Sequence, residues 1–133
     1  MRKTGKLTKV SGTMYKQSEI VLVPFPYSDL SYTKKRPVLI VSNNEYNLKY
    51  PDVIVVVITS VKHEGDKYSI PLLDKDLEYG VLLEKSFIKI HKLFTISKQK
   101  IIKKFSKIRE EKFIKVYNIV VELFKIEESG NKL

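Results

Sequence analysis

The 133-residue chain contains no cysteine. That excludes disulfide staples and a thiolate nucleophile, and it takes from a structural zinc site its usual ligands. Histidine is nearly as scarce, since His63 and His91 are the only imidazoles. No metal or cofactor is therefore expected, and any chemistry falls to hydroxyls, carboxylates, Arg and Lys. Long apolar runs are missing as well. The longest, residues 53–58, falls far below the roughly 20 residues that span a bilayer, and the N-terminus has no apolar stretch of signal-peptide type. The expectation is a soluble, cytoplasmic chain with no membrane partner. The final shortage is of acid: 15 Asp and Glu stand against 25 Lys and Arg, for a net charge of +10. A small domain with surplus cations attracts polyanions and binds phosphates by releasing counterions. Nucleic acid is thus the leading partner class, with a merely lysine-rich composition as the plain alternative.

A hydrophobic content of 43% at this length suffices for one domain around one core. Residues 1–16 carry Arg2, Lys3, Lys6, Lys9 and Lys16 with no acidic residue, which predicts a disordered basic arm; Met14 offers an alternative start. The folded domain is expected over 17–127, with a frayed tail at 128–133. Its first strand is Ile20-Val21-Leu22-Val23, stopped by Pro24 and Pro26. Residues 26–35 have loop chemistry, and a second strand follows over 37–42 with Arg36 at its junction. Residues 43–52 are a polar connection. The β-branched run 53–58, ending at Thr59 and Ser60, predicts a central strand buried on both faces. Residues 61–68 suggest a hairpin loop, 69–72 a short edge strand containing Pro71, and Gly80 a left-handed turn. Residues 86–94 alternate apolar and polar, as a further strand does. Ser97 can cap a helical turn over 98–101, and 103–108 is extended. From Glu110, the spacing of Phe113, Ile114, Tyr117, Val120, Val121 and Phe124 predicts an amphipathic helix. The fold class is mainly β with a C-terminal helix: a small, partly open, SH3-like β-barrel with that helix packed on it.

The segment Glu19-Ile20-Val21-Leu22-Val23-Pro24-Phe25-Pro26-Tyr27-Ser28-Asp29-Leu30, followed by Lys35-Arg36-Pro37-Val38-Leu39-Ile40-Val41-Ser42, resembles the opening of MazF/PemK toxins. Val55-Val56-Val57-Ile58-Thr59-Ser60 is similar to the family's third strand with its terminal hydroxyl, and Gly80, Ser86 and Thr95-Ile96 extend the likeness over about residues 17–126. Two departures stand out. Ser18 replaces a usual Gly before the acidic residue, and the family's Glu-Gln or similar pair gives way around His91 and Lys92, in a region that lies near the dimer interface and RNA path of relatives. The resemblance implies a metal-independent, sequence-specific endoribonuclease on single-stranded RNA, an mRNA interferase in which the ribose 2′-OH attacks the adjacent phosphorus. It also implies a homodimer and an acidic antitoxin whose disordered tail occupies the RNA groove.

Carried onto this chain, the resemblance makes Arg36, Thr59 and Glu19 the catalytic candidates. A guanidinium suits the stabilisation of phosphate oxygens through paired hydrogen bonds, and being permanently charged it is a poor proton donor. Electrostatic stabilisation is therefore its first role and general acid its second. Thr59 can donate a hydroxyl to the same phosphate, with Ser60 in support, while Glu19 is either general base or the holder of Arg36. The plain alternatives are a solvated arginine at a strand entrance and a hydroxyl bonded to backbone. For RNA binding, Tyr27 and Tyr32 can stack bases while Lys34 and Lys35 track phosphates, and His91 is a further candidate that is as readily a half-exposed surface residue. A competing reading keeps the barrel but makes it a non-catalytic module that binds nucleic acid or a topoisomerase.

Overall fold

A computed structural model describes residues 13–25, 34–61 and 65–128. Among the described residues six strands form one antiparallel sheet: β1 (Glu19–Phe25), β2 (Lys34–Ile40), β3 (Asp52–Thr59), β4 (Ser69–Leu72), β5 (Ser86–Ser97) and β6 (Lys103–Lys107). Their order across the sheet is β4-β5-β3-β2-β1-β6. The sheet curls into a partly open barrel against a C-terminal helix. Two register shifts bend it, between Ile20 and Val21 where β1 meets β6, and between Val56 and Val57 where β3 meets β5. At the second, neighbouring β3 residues pair with Leu93 and Lys89, so three residues of β5 loop out. Extra residues in one strand sharpen its local twist and turn the strand.

Proline placement explains where the ladders stop. β1 runs through Pro24 instead of ending before it, because among the described residues β6 pairs only with Glu19 to Leu22; Pro24 then sits where the strand is an edge and its missing N–H breaks no bond on that side. β2 likewise begins at Lys34, earlier than the sequence suggests, so Arg36 lies inside a strand opposite Val23. The β2–β3 ladder starts only at Val38 paired with Val57, one residue after Pro37. Pro71 lies in β4 at the sheet edge, as expected. Residues 61–68 do not close a hairpin, since β5 separates β3 from β4; hydrophobic alternation locates strands but does not say which of them pair.

The polar stretch after β2 contains a short helix, α1 (Asn44–Lys49), missed in the sequence because its six residues offer no apolar stripe. The Asn43 side chain caps it by accepting the Tyr46 N–H at 2.8 Å. Asn47, buried, donates to the Ser42 carbonyl at 3.0 Å, and Ser42 Oγ accepts the Ile54 N–H at 3.0 Å, which ties α1 to β3. Ser97 caps a single 3-10 turn, Lys98–Lys100, by accepting the Gln99 N–H, and Gly80 takes a φ of +81°.

Apolar residues are buried on both faces of the sheet. One cluster includes Ile20, Leu39, Val56, Ile58, Ile88 and Ile90 under the C-terminal helix α2 (Glu110–Leu123); the other includes Val21, Val23, Val38, Ile40, Val53 and Val55. β3 feeds both, as its uninterrupted apolar run requires. On α2 the packed face is rotated from the expected stripe. Phe113, Val116, Ile119 and Val120 meet the core, whereas Ile114, Tyr117, Val121 and Phe124 are exposed. The helix is apolar over so wide an arc that periodicity fits either face. Residues 1–12 of the expected arm lie outside the described residues, as do 129–133 of the expected tail; within the arm, Tyr15 packs on the second cluster.

Candidate active site

Where the β2–β3 ladder stops, residues of both strands line a cleft of about 540 Å³. Proline 37 supplies the cause of that stop, since it has no N–H with which to continue the ladder. Val38 pairs with Val57, so counting on by two residues sets Arg36 level with Thr59. Side chains alternate between faces with a period of two, which puts Arg36, Val38, Val57 and Thr59 on one face. Arg36 and Thr59 both line the cleft. Arg36 is half-buried, with Val57, Leu93 and Phe94 as apolar neighbours in the lining. Thr59 Oγ1 accepts the Val61 N–H at 3.2 Å. That contact is the backbone bond foreseen as the plain alternative, and it engages an oxygen lone pair, so the hydroxyl hydrogen can still be donated.

Glu19 does not join them. Its register places it four residues along β1 from Val23, the partner of Arg36, or about 13 Å of strand. Its Oε1 accepts the Lys16 N–H at 2.8 Å and its Oε2 pairs with Lys104 at 3.2 Å. The carboxylate thus braces the start of β1, and the expectation that it holds Arg36 or acts as base beside it does not fit this geometry. Lys34 and Lys35 are exposed at the head of β2 and line a second hollow of about 370 Å³. Ser60 is exposed next to Thr59. His91 is exposed on the looped-out part of β5, its ring 6.4 Å from that of Tyr68, and is not among the cleft-lining residues. Tyr27 and Tyr32 lie outside the described residues.

Two lysines that the sequence did not single out for this site line the cleft, Lys89 and Lys92. Lys92 is exposed. Lys89, one of the polar positions in the alternating strand β5, is 2% exposed. Its ammonium lies 2.6 Å from Asp66 Oδ2, whose other oxygen accepts the Tyr68 N–H at 3.0 Å. The hydrogen bond from Lys89 holds the Asp66 carboxyl below its ordinary value of 3.8, with the Tyr68 N–H and nearby His91 acting in the same direction and burial opposing them. The only cue in the sequence was a charge set between Ile88 and Ile90, and its partner lies 23 residues away.

Among the described residues no group of three or more His, Cys, Asp or Glu is placed to hold a metal ion, and no helix is long and apolar enough to cross a membrane. The family model described as PemK-like, MazF-like toxin of type II toxin–antitoxin systems matches residues 16–124. The chain belongs to this toxin family. Among solved structures, this PemK-like toxin is similar to an endoribonuclease in complex with its cognate antitoxin from a mycobacterial species, at 16% identity and a TM-score of 0.65, covering 86% of this chain and 98% of that one. A MazE–MazF crystal structure from Deinococcus radiodurans gives 14% identity and a TM-score of 0.69 over 86% and 100% of the chains. Mycobacterium tuberculosis toxin MazF-mt6 gives 16% and 0.62 over 83% and 99%. At such identities the likeness shows the fold. No curated protein gives a significant match.

Proposed function

We propose that this toxin is an endoribonuclease that cuts single-stranded RNA in a sequence-specific, metal-independent reaction. The observation that carries the reading is the placement of Arg36 and Thr59 level with each other just past the end of the β2–β3 ladder, lining one cleft. The substrate supplies the nucleophile. As the ribose 2′-oxygen bonds to phosphorus, the bond to the 5′-oxygen breaks, leaving a cyclic phosphate and a 5′-hydroxyl end. Negative charge gathers on the non-bridging oxygens, where the Arg36 guanidinium can place two parallel hydrogen bonds and the Thr59 hydroxyl a third. Half-buried beside an apolar wall, the guanidinium is less screened than in open water.

The same cations suit an acidic antitoxin segment, a partner supported by neighbours that are themselves complexes with antitoxins. A homodimer with RNA crossing between subunits, working in the cytoplasm, completes the reading. The test is incubation of the purified protein with a mixed single-stranded RNA pool in EDTA, followed by mapping of the ends. Wild type cuts and leaves 5′-hydroxyl ends, while Arg36→Ala, still folded, loses about 10²–10³-fold in rate. Equal cutting by both proteins would remove Arg36 from the reaction, and RNA binding without cutting would favour the non-catalytic module.

A further inference from the structure

Lysine is almost never fully buried unless paired, yet Lys89 is buried in a strand whose neighbours Ile88 and Ile90 are wholly so. Its strand partners are Val57 on β3 and Ser69 on β4. Thr59 lies two residues beyond Val57, on the same face. The position therefore stands about 7 Å along the sheet from the level of Thr59 and Arg36, a span that one nucleotide of extended single strand bridges. A buried ion pair is a weak device for stability, because desolvating two charges roughly cancels their attraction and an apolar side chain of similar volume would serve the packing as well. A charge where an apolar side chain would pack as well points to a ligand, and a cleft that holds Arg36, Lys89 and Lys92 suits a polyanion.

We infer that Lys89 is a phosphate-binding cation of this cleft, with Asp66 as the positioning residue that holds its ammonium ready for the RNA phosphate next to the one at Arg36 and Thr59. The inference rests on the RNA reading above. An ammonium is a compact point charge with three donors, so it can meet a phosphate oxygen while keeping its 2.6 Å contact with Asp66. Asp66 is fixed in turn by the Tyr68 N–H. When no RNA is bound, the carboxylate spares the fold an uncompensated buried charge.

The test is binding of a fluorescent pool of single-stranded oligonucleotides with 2′-O-methyl riboses, which lack the attacking hydroxyl, across a range of salt. The main variant, K89M/D66N, removes one charge of each sign, so it keeps the net charge of +10 and leaves neither charge of the pair behind. Each phosphate contact on a single strand contributes about 0.7 to the slope of log affinity against log salt. The slope should fall by about 0.7 in K89M/D66N, and equally in K89Q, which keeps a donor toward Asp66 and does not depend on the double substitution. A wild-type slope in either folded variant overturns the inference while leaving RNA cleavage standing. A wild-type protein that cuts no RNA and binds no oligonucleotide overturns the functional reading, and this inference with it.

Discussion

Asp66 gives the cleft a pH signature of its own. Its folded carboxyl is held below the ordinary 3.8, mainly by the hydrogen bond from Lys89, so between the folded and unfolded values the unfolded chain binds more protons and stability rises with pH. The contribution is complete above 3.8 and is lost as pH falls below it. Thermal melts should find wild type more stable than Asp66→Asn near neutrality, with the gap closing under acid; a gap independent of pH would contradict the pairing. At this scale the sequence was informative where a residue's place follows from its own strand. Thr59 ends an unmistakable β-branched run, and Arg36 precedes another. The ion pairs of Glu19 and Lys89 were not legible because their partners, Lys104 and Asp66, lie far off in sequence, and local pattern does not carry such contacts.

Among elements, the decisive one is the stretch of β2 around Pro37. If its missing N–H is what ends the β2–β3 ladder, Pro37→Val should let the strands zip toward Arg36 and Thr59. The expected result is an unchanged or higher melting temperature with cleavage reduced about tenfold or more; retained activity would show that the cleft has another cause. By contrast, Asn43→Ala removes the cap of α1 and should lower stability by about 1 kcal/mol without changing cleavage, since no α1 residue lines the cleft. On α2, Val116→Ala empties buried space and should cost about 2 kcal/mol, whereas Val121→Ala on the exposed face should cost less than about 0.5 kcal/mol. Chemical denaturation distinguishes these, and equal costs would restore the stripe expected from spacing. β1 and β3 were legible as uninterrupted apolar or β-branched runs, β4 as a short run around Pro71, β5 by its alternation and α2 by its broad helical stripe. The α1 helix was not, for its stability comes from one cap and from Ser42 and Asn47 contacts to β3.

At the scale of the whole molecule, a half-barrel with a terminal helix and a strongly basic charge is what composition and strand count indicated. The family match over residues 16–124 agrees with the opening segment from which the resemblance was drawn. What sequence could not supply is the point at which the β2–β3 ladder stops, one residue after Pro37, and the cleft that both strands line there. The central claim is that Arg36 and Thr59 act on one phosphodiester, and a double-mutant cycle on single-turnover RNA cleavage tests it most directly. With Arg36→Ala, Thr59→Val and the double variant all folded, convergence predicts strong coupling: the double loss should fall short of the product of the single losses by a factor worth about 0.5–3 kcal/mol. Losses that simply multiply, or a Thr59→Val variant as active as wild type, would contradict it.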